Sequence, residues 1–100
     1  MKHFLLFYDF APDYLERRVP LRADDLKFAR AAQARAELVL GSALADPLDS
    51  AVLLFLGEDR AVAEQFAQAD PYVRGGLVTG WRVREWTTVV GAGALTEVRA

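Results

Sequence analysis

The chain contains no cysteine, a single histidine and a single methionine among its 100 residues. The absence of thiols excludes disulfides, thiolate catalysis and cysteine-based metal sites, though it does not by itself fix the compartment. Basic residues are not in excess either: 12 Lys and Arg stand against 14 Asp and Glu, for a net charge of −2. That balance, with no basic patch carrying interleaved aromatics, argues against nucleic-acid binding. No apolar run approaches the roughly 20 residues needed to cross a bilayer, so no membrane association is expected. The opening run Phe4 to Tyr8 resembles a secretory leader only briefly, because Asp9 and Asp13 cut it short and no small-residue cleavage pattern follows. The expectation is a cytoplasmic protein. Missing too are a metal-ligand cluster, a glycine-rich phosphate loop, a Ser/His/Asp set and a dinucleotide fingerprint, so neither metal nor cofactor is expected.

Apolar residues make up 53% of the chain and charged residues 26%, the composition of a protein that forms a core. One hundred residues suit one domain over 1–100, with a core at about 2–90 and a C-terminal tail at 91–100. Residues 2–9 read as a strand that is apolar on both faces, and 11–19 as a polar loop or lid. Pro20 is placed to open a helix over about 20–36. A second strand spans 37–44. The turn signal Asp46-Pro47-Leu48-Asp49-Ser50 then leads into a third at 51–56, which makes a hairpin with the second. Asp59 can cap a helix running through Ala69. After Gly75 and Gly76, a fourth strand starts at Leu77, with a bend or bulge expected at Glu85-Trp86 before Thr87 to Val90. From Gly91 onward the chain is small and polar and is expected to fray.

The order βαββαβ is the ferredoxin-like pattern, an α+β fold with two helices on one face of a four-stranded antiparallel sheet. The first and third strands are apolar on both faces, which does not suit a sheet with one wet face. The uncovered face must bury itself, either against a second copy in a homodimer or beneath the C-terminal tail.

Ala69-Asp70-Pro71-Tyr72 is the most informative stretch for chemistry. Pro71 forces the helix to stop, leaving the Asp70 carboxylate at a helix C-terminus, where the dipole favours cations. On the first helix, a wheel of roughly 100° per residue groups Leu21, Phe28, Ala29, Ala32 and Ala36 on one arc. Asp25 falls in the middle of it, while Asp24 points to the charged side with Lys27. Arg22 is close enough to pair with Asp25. The second helix carries the stripe Val62, Ala63, Phe66 and Ala69, which Asp70 continues. Two carboxylates on two helices therefore both point toward the sheet. If they meet, one must hold a proton near neutral pH, and the pair could do acid–base work. The bland alternatives are a first-turn acid stabilised by the dipole for Asp25 and a turn residue bonded to nearby amides for Asp70. Ser42 reads as a small polar lining residue mid-strand and not a nucleophile, since no base adjoins it. His3 reads as an edge or core residue. Tyr8, Tyr72, Trp81 and Trp86 read as packing groups that could wall a small apolar pocket.

Four pieces together resemble the YCII-related (YciI-like) family. They are the strand Lys2 to Asp9, the segment Arg22-Ala23-Asp24-Asp25-Leu26, the hairpin Gly41 to Pro47, and Ala69-Asp70-Pro71-Tyr72 followed by Leu77 and Trp81. The resemblance covers about residues 2–90. It implies a dimeric α+β barrel, a homodimer through the open sheet face, and an active site built from a histidine and an aspartate. The aspartate maps onto Asp70. The histidine position maps onto Asp25, so this chain departs from the family at the acid–base residue itself. Some relatives act on small aromatic compounds, including dechlorination of chlorinated phenols. By that resemblance the chain would be a cofactor-independent small-molecule lyase or isomerase, with Asp70 and Asp25 sharing proton transfer. Arg22 would hold an anionic group of a small anionic or aromatic ligand, and Ser42 and Tyr72 would line the pocket. The rival is a non-catalytic ligand-binding or dimeric interaction domain that has lost the chemistry. A third reading is a structural dimer module of the kind fused to larger proteins.

Overall fold

The computed structural model describes residues 1–98. Its elements are β1 (Lys2–Phe10), α1 (Tyr14–Arg17), α2 (Arg22–Ala34), β2 (Leu38–Leu40), β3 (Ser50–Gly57), α3 (Ala61–Ala69), α4 (Pro71–Arg74) and β4 (Val78–Trp86). The four strands form one sheet in the order β2-β3-β1-β4, with every neighbouring pair antiparallel. This is the expected ferredoxin-like α+β arrangement, with two one-turn helices added. None of its helices is long and apolar enough to cross a membrane.

The double-faced apolar strands sort by the two-residue period of a strand. On the helix side, Phe4, Leu6 and Tyr8 of β1 and Ala51, Leu53 and Phe55 of β3 are buried. On the other face, Leu5 and Phe7 of β1 and Val52, Leu54 and Leu56 of β3 are half-buried. Phe55 sits at the centre, fully buried. Its ring meets Phe66 of α3 edge-on at 5.0 Å, and Phe66 meets Phe28 of α2 at 4.7 Å. This chain of rings ties the sheet to both long helices. Burying each such side chain contributes roughly 1.5–3 kcal/mol.

Several boundaries differ from the sequence-based expectation, each for a local reason. The 11–19 segment holds α1, whose Tyr14 is buried and stacks on Phe10 at 3.8 Å. α2 begins at Arg22, without a side-chain cap, and Phe28, Ala29 and Ala32 face the core as expected. Ala36 lies past the helix, exposed, because its φ of 61° turns the chain toward β2. The N-cap of α3 is Arg60, one residue past the expected Asp59, whose Oδ1 still accepts the Ala61 amide at 2.9 Å. Ala67 joins Ala63 and Phe66 in the core of α3, while Ala69 is exposed. β2 is only three residues long, so Ser42 lies in a loop instead of mid-strand. Its hydroxyl donates to the Val52 carbonyl and takes the place of a ladder bond.

No bulge occurs at Glu85-Trp86. β4 stays in register with β1 from Gly80 opposite Asp9 to Trp86 opposite His3, and the slip falls between Asp9 and Phe10. Thr87 to Val90 do not extend the strand, which ends with Trp86 opposite His3, one residue from the start of β1. His3 is half-buried at that end, its Nδ1 2.8 Å from the Thr88 hydroxyl. The C-terminal segment bonds to itself, with the Thr96 and Val98 amides donating to the Thr88 and Val89 carbonyls. Val90 and Val98 of this segment are exposed. Residues 99 and 100 of the expected frayed tail lie outside the described residues.

Candidate functional site

Asp70 occupies the junction of two helices. It ends α3 and, with ψ of 125° and Pro71 in the first helical position, it is also the N-cap of α4. The sequence reading set its carboxylate against a helix C-terminus. The structure corrects this, because α4 supplies a helix N-terminus for the same side chain. The Tyr72 amide donates to Oδ1 at 2.9 Å, the standard bond of an aspartate cap. Oδ2 accepts the Tyr8 hydroxyl at 2.8 Å. Asp70 is only 2% exposed, the one charged residue type found in the core among the described residues.

Asp25, in the first turn of α2, reaches the same place. It is half-buried and hydrogen-bonds to the Asp70 carboxylate. A contact between two carboxyl groups requires a proton between them. Burial, then the hydrogen bond to Asp70, then the charge of Asp70 push the Asp25 carboxyl up to about 8. The Tyr72 backbone and the Arg22 charge act weakly the other way. The Asp25 carboxyl therefore keeps its proton at neutral pH. Asp25 Oδ1 is buried and makes no hydrogen bond. The Tyr8 hydroxyl is pushed far above its ordinary range by burial and by the Asp70 charge, which keeps it a hydrogen-bond donor.

The approach of α2 to α4 makes this meeting possible. A Cβ on Gly75, at the end of α4, would come within 2.8 Å of Leu21 Cδ1 and 3.1 Å of the Pro71 carbonyl. Glycine is thus what lets the start of α2 lie against α4. Arg17 fastens the same corner by donating to the Gly75 carbonyl at 2.9 Å.

Above the carboxyl pair lies a cavity of about 340 Å³, walled by Tyr8, Phe10, Tyr14, Leu53, Phe66 and Tyr72. Arg18, Arg22 and Ser42 also line it. The five residues singled out in the sequence, Asp70, Asp25, Arg22, Ser42 and Tyr72, thus border one cavity. The anticipated Arg22–Asp25 ion pair does not form. Asp25 turns inward to Asp70, Arg22 stays exposed, and Arg22 is in none of the ion pairs among the described residues. Tyr72 is buried, its ring edge-on to Tyr14 at 5.5 Å. Burial, followed by the influence of Tyr14, pushes its hydroxyl up to about 12.

Sequence reasoning gave Tyr8 only as a packing group that could wall a pocket and missed its bond to Asp70; it missed Tyr14 and Arg18 altogether. The signal for Tyr8 was present: it alternates with Phe4 and Leu6 on the core face, and a buried tyrosine hydroxyl needs a partner. The signal for α4 was present as well, since Asp-Pro is a cap followed by the residue best suited to the first helical turn. Arg18 carried none.

The sheet with both long helices on one face, and a carboxyl pair beneath a small cavity, define an α+β ferredoxin-like protein with a buried polar site. The family model of the YCII-related domain matches residues 1–87, and the chain belongs to that family. Among solved structures it is similar to 5-chloro-2-hydroxyhydroquinone dehydrochlorinase from Burkholderia phenoliruptrix, in complex with 2,5-dihydroxybenzoquinone. The TM-score is 0.72 at 20% identity, covering 86% of this chain and 94% of that one. It is also similar to a NIPSNAP domain protein from Burkholderia xenovorans, at TM-score 0.55 and 17% identity over 94% and 98% of the two chains. Rv0793 from Mycobacterium tuberculosis gives TM-score 0.53 at 16% identity over 91% and 97%. At these identities the likenesses show the fold. No curated protein is a significant match.

Proposed function

We propose that the cavity is the active site of a cofactor-independent small-molecule lyase or isomerase. One observation carries the reading: two carboxyl groups, Asp25 and Asp70, meet at the lining of a cavity of ligand size. Asp70, positioned by the Tyr8 hydroxyl and the Tyr72 amide, takes a proton from the substrate. Asp25 delivers its proton to another atom of the substrate. The proton then sits on Asp70 and returns to Asp25 across their shared hydrogen bond, so an isomerisation balances with no outside reactant. In an elimination, the proton taken by Asp70 and the departing anion are the products lost. The structural neighbour named as a dehydrochlorinase supports this class of reaction and supplies a first substrate to try.

The test is chloride release from 5-chloro-2-hydroxyhydroquinone by the wild-type chain and by Asp70→Asn. The expected result is turnover that falls by about 10²-fold or more in the variant, the scale of a lost general base. Full turnover in Asp70→Asn would end this assignment. A second reading, a ligand-binding domain without chemistry, is favoured by Asp25 standing where the family resemblance expects histidine. A carboxyl pair has no neutral imidazole to offer as a base.

The protein acts as a homodimer through the open sheet face. Leu5, Phe7, Val52, Leu54 and Leu56 make a contiguous apolar surface there, extended by the exposed Leu40 of β2. Sedimentation tests it, and a monomer at micromolar concentration would overturn it.

A further inference from the structure

Adjacent arginines at the end of α1 have different surroundings. Arg17 is held in place: it pairs with Asp13 at 3.4 Å and donates to the Gly75 carbonyl. Arg18 has no such partner. Its Cζ lies 5.6 Å over the Tyr14 ring, whose other contacts are the stacked Phe10 and the edge-on Tyr72. Arg18 therefore stands over an aromatic wall of the cavity, in no ion pair among the described residues. Arg22, one turn along the chain, lines the same cavity and is likewise in no ion pair. The carboxyl pair, the Tyr8 hydroxyl and several aromatic rings line the same cavity as these two guanidiniums.

Resting on the reading of this cavity as a ligand site, we propose that Arg18 and Arg22 are its carboxylate-binding end and determine its specificity. The ligand is a small aromatic carboxylate, with its head group at the two guanidiniums and a polar ring substituent over Asp25 and Asp70. A guanidinium presents a planar fork of donors that matches a carboxylate in shape and charge, and gains most at a partly desolvated site. A flat ring rests against the aromatic lining of the cavity, and its hydroxyl meets both a donor, Asp25, and an acceptor, Asp70.

The probes are 4-hydroxybenzoate, 4-hydroxybenzamide and hydroquinone, titrated calorimetrically at neutral pH. The first two share shape and ring hydroxyl and differ in the charge of the head group. The benzoate is expected to bind about tenfold or more tightly than the amide, the scale set by charge-assisted bonds. Arg18→Gln and Arg22→Gln should each shrink that preference several-fold, weakening the benzoate more than the amide. Both positions are off the core, and thermal unfolding of each variant verifies the fold. Equal affinity for acid and amide, a preference that survives both substitutions, tighter binding of hydroquinone, or no binding of any probe would each overturn the proposal. Asp70→Asn separates this from the catalytic reading. A carboxylate preference retained there, alongside absent chloride release in the wild type, would sink the lyase assignment and leave the ligand class standing.

Discussion

The two faces of the same sheet solve opposite problems. Toward the helices, β1 presents Phe4, Leu6 and Tyr8, all buried, and the only polar atom among those side chains finds a partner in Asp70. Toward the other side it presents His3, Leu5 and Phe7, half-buried and flanked on β4 by Arg82, Arg84 and Trp86. Arg82 spreads over the Phe7 ring at 4.6 Å and reaches Asp9 at 3.9 Å. One face is closed within the chain and encloses polar chemistry. The other is apolar, rimmed by charge, and fits closure by a second copy. Alternation within one strand thus separates the candidate site from the candidate interface.

Substitutions one residue apart should reveal that division. Phe55→Ala, at the centre of the helix-side core, should cost about 3–5 kcal/mol, read as a lower denaturant midpoint at any protein concentration. Leu54→Asp, its neighbour on the other face, should instead shift the dimer to monomer in sedimentation. If Leu54→Asp leaves the oligomeric state untouched, the open face is not the interface.

On the site side, Asp70→Ala removes a cap and strands the buried Tyr8 hydroxyl, for a combined loss of about 2–4 kcal/mol. Asp70→Asn keeps one acceptor oxygen for the Tyr72 amide, while its NH2 can donate to the Tyr8 hydroxyl, and it should cost visibly less in thermal unfolding. Equal losses would mean that the hydrogen bonds are not what stabilises this corner.

The carboxyl pair also makes stability depend on pH. Asp25 titrates near 8 in the folded chain and near 4 when unfolded, so the folded state binds more protons between those values. Stability is therefore greatest at the acid end of that window for this group, falls as pH rises toward 8, and levels off above it. Asp25→Asn should flatten that slope in a series of thermal melts. Gly75→Ala is the mildest perturbation, expected to cost about 1–2 kcal/mol as Leu21 and the α4 carbonyl give way. It should also loosen the contact between the acids, seen as a shallower pH slope.

The fold was largely legible in the sequence, because strand alternation and helix stripes are local signals that burial then enforces. Two carboxylates aimed at one place were legible as well, from the arc containing Asp25 and the stripe ending at Asp70. What escaped was chain geometry decided by tertiary contact. The early exit of β2 at Gly41 accompanies the bond from Ser42 to the Val52 carbonyl, and β4 ends at Trp86 opposite His3, where side-chain patterning gives no stop signal. Asp70 was read as misplaced because α4 is a single turn, too short for hydrophobic periodicity to register. Once that turn is present, its carboxylate sits at a favourable helix end, and Asp25 becomes the group with the unusual environment.

The proton shared by Asp25 and Asp70 is the centre of this account. Carbon-13 chemical shifts of the aspartate carboxyls, followed from pH 3 to 10 with Asp25→Asn as the assignment control, measure it directly. The account predicts one aspartate that stays protonated through neutrality and titrates near 8, with the signal lost in the variant. Titration of every aspartate in the ordinary range around 4 would contradict it.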